Sequence, residues 1–265
     1  MGLGDEIMVT GEARRLQRRD PRSVAVAGAD GRARWHALWR GNPRLAGPAE
    51  VAAGAAVQWL VNHPGRRPYH AKVTAERFFF SAWRATPGEL FFDAGERAFA
   101  AAQPAPFVVV EPAIKASASP NKDWGFERFQ RVVARRAGLP WLQLGAAGTR
   151  RLAGVRHLVT PDFRRAAAVL GRARAYLGPE GGLHHAAAAL GVPAVVIFGA
   201  FTAPANTGYA GHLNIYRPHG DGPCGRRRPC PDCAERLAAI TPDEVAAALD
   251  RLLRWPHFSR KFDEQ

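Results

Sequence analysis

Residues 178–185 read GPEGGLHH, which places an acid, two adjacent glycines and two adjacent histidines before an alanine-rich segment. An apolar run at residues 175–177 precedes them, so the pattern predicts a strand, a tight turn and a helix. At a helix N-terminus the unpaired N–H groups and the helix dipole attract an anion. Gly181 and Gly182 carry no Cβ and let the backbone approach such a ligand closely. The stretch therefore indicates an anion-binding site.

Three side chains of this stretch have types that suit a phosphorylated sugar. His184 and His185 lie in the predicted first turn, where either one could contact a phosphate, and Glu180 suits the hydroxyls of a ribose or a sugar. The alternative is a glycine turn whose histidines face solvent. The chain has neither G-x-G-x-x-G after a first strand nor G-x-x-x-x-G-K-[ST], so neither common nucleotide motif applies.

All three cysteines of the chain lie in one short segment, as Cys224-x5-Cys230-x2-Cys233. The close pair is typical of a zinc or iron knuckle, and His219 could complete four ligands. The alternatives are reduced thiols in a proline-rich loop or one disulfide. A local cluster of odd number does not fit a secreted disulfide framework.

The formal net charge is +14, from 37 Lys and Arg against 23 Asp and Glu. This excess favours anionic partners such as nucleic acid, phosphorylated small molecules or an acidic membrane surface. Because the arginines are spread along the chain and do not form one block, we interpret them as a solvated basic surface and expect no nucleic-acid site. No stretch approaches the ~20 apolar residues of a membrane span, so we expect a cytoplasmic protein.

The elements that position these residues alternate regularly in the second half of the chain. Strands are predicted at 107–110, 141–144, 155–159, 175–177 and 194–198, and helices at 126–137, from Thr160-Pro161 onwards, after residue 181 and from Thr241 onwards. Such alternation is typical of parallel βαβ units in a doubly wound, Rossmann-like domain.

The first half of the chain is less regular. A helix is predicted at 12–19, short strands at 24–27, 58–61 and 90–92, and a linker at 101–106. We therefore divide the chain into a short amino-terminal α/β domain, residues 1–105, and a carboxy-terminal Rossmann-like domain, residues 106–265. A ligand would sit in the cleft between them, outside the carboxyl ends of the strands.

The segment EGGLHHAAAALGVPAVVIFG resembles the motif of the family nine glycosyltransferases, the ADP-heptose:lipopolysaccharide heptosyltransferases. That motif reads Asp-(Ser/Thr)-Gly-x-x-His, followed by a small-residue helix, Leu-Gly-x-Pro, a strand and Phe-Gly. Glu180 falls on the family's Asp and Gly181 on its Ser/Thr, so these two positions differ in residue type. Gly182 falls on the family's Gly and His185 on its His.

Other segments resemble the same family in the same order along the chain. GLGDEIMVTGEARRLQRRDP resembles its Gly-x-Gly-Asp loop and the helix that follows it, which implies that Asp5 is the general base. Glu6 is the alternative base, and a helix N-cap is the alternative role of Asp5. NKDWGF resembles its Lys-x-Trp segment, which implies that Lys122 contacts the donor diphosphate. Trp124 then lies either in the donor site or in packing under the helix. In GAFTAP, Thr202 falls on the Thr of the family's Gly-x-Thr-x-Pro turn. The later PC and ITPDEV match its carboxy-terminal signature.

The resemblance implies an α/β, GT-B-like fold with two Rossmann-like domains facing a cleft, the amino-terminal one reduced. It implies that the domain of residues 1–105 binds mainly the acceptor and that the domain of residues 106–265 binds the nucleotide sugar. It implies that the protein transfers a sugar from a nucleotide-diphosphate donor with inversion at the anomeric carbon. The sugar is heptose in the named members of the family, and the reaction needs no catalytic metal or other cofactor. The acceptor would be a lipopolysaccharide-like or other glycan, or a lipid-linked one. The basic surface suits peripheral contact with an anionic membrane at the inner membrane face. The alternative function is a non-catalytic relative that binds a nucleotide sugar.

Two features depart from the family's pattern. Members usually begin with a strand before the Gly-Asp loop, whereas Met1 already lies at the loop. We expect either that the true start lies upstream or that this domain is reduced. Some relatives carry a four-cysteine metal finger at the position of Cys224, Cys230 and Cys233, which implies a structural zinc or iron; Leu237 stands where a further cysteine is found.

Overall fold

The computed structural model describes residues 2–218, 220 and 222–254. Its helices are α1 (Leu3–Gln17), α2 (Pro48–Ala52), α3 (Ala94–Ala101), α4 (Phe126–Arg135), α5 (Phe163–Leu170), α6 (Gly182–Ala189), α7 (Pro204–Thr207), α8 (Pro231–Ala238) and α9 (Pro242–Leu253). Its strands are β1 (Ser23–Ala27), β2 (Ala33–Arg34), β3 (Leu45–Ala46), β4 (Val57–Val61), β5 (His70–Val73), β6 (Phe78–Phe80), β7 (Val108–Val110), β8 (Trp141–Gly145), β9 (Arg156–Val159), β10 (Ala175–Pro179), β11 (Ala194–Phe198) and β12 (His212–Tyr216). Short 3-10 turns cover Ala37–Trp39 and Pro120–Lys122.

Six strands form a parallel sheet in the order β12-β11-β10-β7-β8-β9. The chain runs outward from β7 through β8 to β9, crosses back to β10, and then runs outward on the other side to β12. The strand order therefore reverses between β7 and β10. Doubly wound sheets bind their ligands at this switch point, beyond the carboxyl ends of the strands.

The predicted strands of this half are confirmed, and β12 is an additional strand that the periodicity did not indicate. The helix expected from Thr160-Pro161 begins later, at Phe163. Asp162 caps it, because its side chain accepts a hydrogen bond from the backbone N–H of Arg165 at 2.8 Å.

The amino-terminal sheet is built around β1. β1 pairs in parallel with β4 and β3 and antiparallel with β2, and β5 and β6 form a separate antiparallel hairpin. The strands predicted at 24–27 and 58–61 are confirmed. The strand predicted at 90–92 is wrong: Leu90 is buried in the core, but the segment pairs with no strand in the described ranges.

The first helix starts earlier than the predicted helix at 12–19. α1 begins at Leu3, and Gly2 is its N-cap residue. The Asp5 carboxylate accepts the backbone N–H of Gly2 at 2.8 Å, which satisfies a group at the start of the helix. The segment that resembles a Gly-x-Gly-Asp loop is therefore the first turn of a helix.

One hydrophobic core joins the two halves of the chain. It includes Ile7 and Val24 from the first half and Val109, Leu142 and Phe198 from the second half. Across the halves, α1 packs against α6 and α3 packs against α5. The domain boundary predicted between residues 105 and 106 falls between α3 and β7 and stays a prediction.

Within the described ranges, no helix combines the length and the apolar character that crossing a membrane requires.

Candidate active site

A cavity of about 840 Å³ opens beyond the carboxyl ends of β7 and β10, between the two halves of the chain. Seven of the predicted site residues line it: Asp5, Lys122, Glu180, Gly181, Gly182, His185 and Thr202. The structure thus brings together residues that are up to 197 positions apart in the sequence. Trp124 and the three cysteines are not among the lining residues.

Glu180 is the centre of the polar network in this cavity. It directly follows β10, is buried, and forms an ion pair with the Lys122 ammonium. Its other carboxylate oxygen lies 3.2 Å from Nε2 of His185. Burial opposes ionisation, but the Lys122 charge and the His185 hydrogen bond outweigh it and hold the pKa of Glu180 well below its usual value. Glu180 is therefore a carboxylate that keeps Lys122 in place at the cavity wall.

The two histidines have different positions. His185 lines the cavity, and both of its ring nitrogens are engaged, Nε2 with Glu180 and Nδ1 with the Tyr209 hydroxyl at 2.7 Å. His184 is fully buried and packs against the rings of His185, Tyr209 and His212. Burial, with the neighbouring histidines, lowers the pKa of His184 well below its usual value, so the ring is neutral. His184 is therefore not a lining residue of the cavity, whereas His185 lines it and contacts Glu180.

The N-terminus of α6 faces the cavity through Gly181 and Gly182. A Cβ added at Gly181 would meet only the Pro179 carbonyl, at 4.0 Å, so the space beside this backbone is open. A Cβ at Gly182 would lie 3.2 Å from the ring of Phe163. The first N–H groups of a helix have no acceptor within that helix. The arrangement therefore gives an anion access to backbone donors beside the Lys122 ammonium.

Asp5 lines the same cavity from the first turn of α1 and is held by three donors. Its carboxylate pairs with the Arg67 guanidinium at 2.9 Å, accepts the Tyr69 hydroxyl and accepts the backbone N–H of Gly2. α1 reaches the cavity because Gly4 has no side chain: a Cβ there would overlap the ring of His185. The candidate base and the α6 end of the cavity are therefore fixed relative to each other by direct helix packing.

Three further predicted positions have clear locations. Glu6, the alternative base, is buried and pairs with Arg34 at 2.9 Å, away from the residues that line the cavity. Thr202 lines the cavity, with its hydroxyl 3.4 Å from that of Thr207. Trp124 is 0% exposed, and its Nε1 donates to the Ile240 carbonyl at 3.0 Å. The structure therefore places Trp124 in packing under the helices and not against a ligand.

Several charged and polar residues of the cavity were missed by sequence reasoning, among them Arg67, Tyr69, Lys115 and Glu111. Arg67 and Tyr69 precede the β5–β6 hairpin, in a segment without helical or strand periodicity, and Lys115 lies in an irregular loop. Glu111 carried a signal, because it is a charged residue directly after the buried strand β7. A polar side chain at the carboxyl end of a central parallel strand is a position typical of ligand binding.

The cysteine cluster (Cys224, Cys230 and Cys233) lies next to the cavity. The three thiols are buried and free, and their Sγ atoms lie within 4.8 Å of one another. Three sulfur donors at this separation fit zinc or iron, whereas the disulfide alternative is not formed. His219, the proposed fourth ligand, lies outside the described residues. Cys224 donates its backbone N–H to Ala200 at 2.7 Å, so the cluster is bound to the turn that carries Thr202.

The model of glycosyltransferase family 9 (heptosyltransferase) matches residues 83–228, which is more than half of the chain. No curated protein sequence matches.

Three solved structures resemble the chain. The glycosyl transferase family 9 from Veillonella parvula DSM 2008 gives a TM-score of 0.66 at 15% identity, over 96% of this chain and 95% of that chain. The iron-containing dodecameric glycosyltransferase TibC from enterotoxigenic E. coli H10407 gives 0.65 at 16% identity, over 96% of this chain and 74% of that chain. The E. coli ADP-heptose lps heptosyltransferase II gives 0.48 at 21% identity over 63% of this chain, which spans 53% of that protein. The first two superpositions confirm the predicted α/β, GT-B-like fold.

Proposed function

The chain belongs to glycosyltransferase family 9, and from this premise we propose that it is an inverting glycosyltransferase. Its donor is a nucleotide-diphosphate sugar of the ADP-heptose type, and its acceptor is a lipopolysaccharide-like or other surface glycan or a lipid-linked one. One observation carries the proposal. The Lys122 ammonium is paired with Glu180 and lines the same cavity as the open N-terminus of α6.

The donor diphosphate binds between Lys122 and the backbone N–H groups at the start of α6. A cation and preorganised backbone dipoles stabilise the charge that develops on a departing diphosphate. Glu180 accepts hydrogen bonds from donor hydroxyls, and His185 keeps it in position. Thr202 contributes a hydroxyl to the same wall.

The reaction is a single displacement. Asp5 takes the proton of the acceptor hydroxyl, whose oxygen attacks the anomeric carbon of the sugar. The bond from that carbon to the diphosphate oxygen breaks, and its electron pair leaves with the diphosphate. Attack opposite the leaving group inverts the anomeric centre. Lys122 and α6 supply the positive charge, so the proposed reaction requires no catalytic metal.

The proposed location is the cytoplasmic side of the inner membrane, with peripheral contact to anionic lipid. The net charge of +14 supports such a contact, because basic surfaces are attracted to anionic headgroups. We propose no nucleic-acid partner.

Lys122→Met is expected to weaken the binding of ADP about 10- to 100-fold, because a charge-assisted hydrogen bond contributes about 1.5–3 kcal/mol. Isothermal titration calorimetry measures this change. Lys72→Met is the matched control: Lys72 is exposed on β5 and is not a cavity residue, so its replacement should leave the affinity unchanged. Equal affinities for both variants would contradict the diphosphate role of Lys122.

The cysteine cluster is proposed to hold one structural zinc or iron. Elemental analysis of the purified protein should give about one metal ion per chain, and Cys233→Ser should lose it and lower the melting temperature. Glu180, His184 and His185 form another group whose ligand atoms lie within 4.8 Å. If Cys233→Ser keeps its full metal content, the ion does not bind at the cysteines. A metal-free wild-type protein would also contradict the proposal.

The proposed function itself is tested with a panel of ADP-, UDP- and GDP-sugars. A ligand that binds the folded state raises the melting temperature, and release of the nucleoside diphosphate in the presence of a glycan acceptor reports transfer. Stabilisation together with release supports the enzyme. Stabilisation without turnover of any donor favours the non-catalytic relative, and no stabilisation by any donor contradicts both.

A further inference from the structure

Glu111 is an acid of the cavity that the proposed reaction does not use. It directly follows β7, and its backbone N–H donates to the Leu177 carbonyl at 2.9 Å, which fixes it beside β10. β7 and β10 are the strands between which the sheet order reverses. Glu111 and Glu180 therefore follow the two strands of the switch point, and both line the cavity.

The Glu111 carboxyl is oriented by a buried tyrosine. The Tyr176 hydroxyl donates to Oε2 of Glu111 at 2.5 Å and lies 3.3 Å from the Pro179 carbonyl. Gly178 makes room for this contact, since a Cβ there would overlap the Tyr176 hydroxyl and lie 3.1 Å from the Cβ of Glu111. Oε1 of Glu111 has no hydrogen-bond partner among the residues that the structure describes, and it is left for a group in the cavity.

The charges at the switch point do not favour two ionised acids. Lys122 is the cation that acts on Glu111, and its ammonium is already paired with Glu180. A bound diphosphate adds at least two negative charges to this wall. An ionised Glu111 would repel them, whereas a protonated carboxyl can donate a hydrogen bond to a phosphate oxygen.

On the basis of the proposed function, we propose that Glu111 is a further donor-binding residue, which as a neutral carboxylic acid donates a hydrogen bond to an oxygen of the donor diphosphate. The surroundings of Glu111 favour its neutral form over the ionised one. Burial raises the pKa of Glu111 to about 7, against smaller lowering effects of the Tyr176 hydrogen bond and the Lys122 charge. A substantial neutral fraction is thus present near neutral pH.

The test is the pH dependence of nucleoside diphosphate binding, with ADP as the probe and UDP and GDP in parallel, between pH 6 and 8.5. Only the fraction with neutral Glu111 binds fully, so the dissociation constant of the wild type should rise about tenfold per pH unit above 7. Glu111→Gln keeps a neutral donor at all pH values. The ratio of the wild-type to the Glu111→Gln dissociation constant should therefore rise about tenfold or more across this range, and titration of the nucleotide cancels in the ratio.

A second variant and a control separate this role from a structural one. Tyr176→Phe removes a hydrogen bond that lowers the pKa of Glu111, so the break in the binding curve should move to higher pH. Glu127→Gln makes the same change of a carboxyl to an amide, but on α4. Because Glu127 pairs with Arg150 outside the cavity, this variant should follow the wild-type curve.

The outcomes are distinct. The same pH profile in wild type and Glu111→Gln, or a break that does not move in Tyr176→Phe, overturns the role of Glu111 and leaves the proposed function standing. No binding of any nucleoside diphosphate by the wild type at any pH overturns the proposed function and this inference with it.

Discussion

Asp5→Asn is expected to lower the turnover of sugar transfer about 10²- to 10⁴-fold, which is the usual contribution of a positioned general base. The amide cannot take the acceptor proton, but it has nearly the same shape and can still accept the N–H of Gly2. Asp5 is not one of the groups proposed to bind the diphosphate, which are Lys122 and the backbone at the start of α6, so ADP affinity should change little. Steady-state kinetics together with calorimetric ADP titration measures the two effects separately.

Glu6→Gln is the control for this prediction. Glu6 is the neighbouring acid on α1, but it pairs with Arg34 and does not line the cavity. Its replacement should leave turnover within a few-fold of the wild type, measured below the melting temperature of the variant. Near-normal turnover in Asp5→Asn, or the large loss in Glu6→Gln instead, would contradict the assignment of the base.

Arg164→Met is expected to lower the free energy of unfolding by about 3–5 kcal/mol, because it leaves a buried carboxylate without its main partner. Arg164 is 6% exposed, and its Nε and Nη2 bind the two oxygens of Glu96 at 2.6 and 2.8 Å. It also donates to backbone carbonyls of Ala37 and Leu38 at 3.2 Å. The pair joins α5 to α3 and so connects the two halves of the chain. Denaturant titration measures the loss.

Arg165→Met is the matched control one residue away. Arg165 pairs with Asp162 at 2.5 Å, but the two side chains are 38% and 43% exposed, and exposed pairs contribute about 0–1 kcal/mol. Equal losses of unfolding free energy in Arg164→Met and Arg165→Met would show that burial of the Arg164–Glu96 pair does not determine its contribution to stability.

The Arg164–Glu96 ion pair also predicts how the free energy of unfolding depends on pH in the acid range. Burial would raise the pKa of Glu96, but the Arg164 hydrogen bonds, the backbone N–H of Asp93 and the charges of Arg164 and Arg40 together outweigh it and lower that pKa from 4.5 to about 2. A lowered folded-state pKa stabilises the protein above pH 4.5, and this contribution is lost as the pH falls from 4.5 towards 2. Arg164→Met should flatten this part of the stability curve.

Local patterns predicted that residues of the GPEGGLHH stretch lie together at one cavity. Residues 180–185 lie in one strand–turn–helix unit, so the spacing of their side chains follows from the local backbone, and the structure places Glu180 and His185 together. The role of His185 was not predictable in this way. Its partner Tyr209 lies 24 residues away, and only the folded structure shows that both ring nitrogens are engaged.

The surroundings of Asp5 depend on contacts that sequence patterns do not encode. Arg67 and Tyr69 reach Asp5 across more than 60 residues, from a segment without periodicity. The apolar periodicity did not indicate the first turn of α1, and Gly4 within that turn is a poor helix former. Packing against His185 requires the small residue at Gly4, so tertiary contact outweighs intrinsic helix propensity there.

A crystal structure of the protein with ADP shows directly where the diphosphate binds. One diphosphate oxygen is expected within about 3 Å of the Lys122 ammonium, and another is expected to accept hydrogen bonds from the backbone N–H groups at the start of α6. Well-defined ADP that contacts neither Lys122 nor the α6 N-terminus would contradict this expectation.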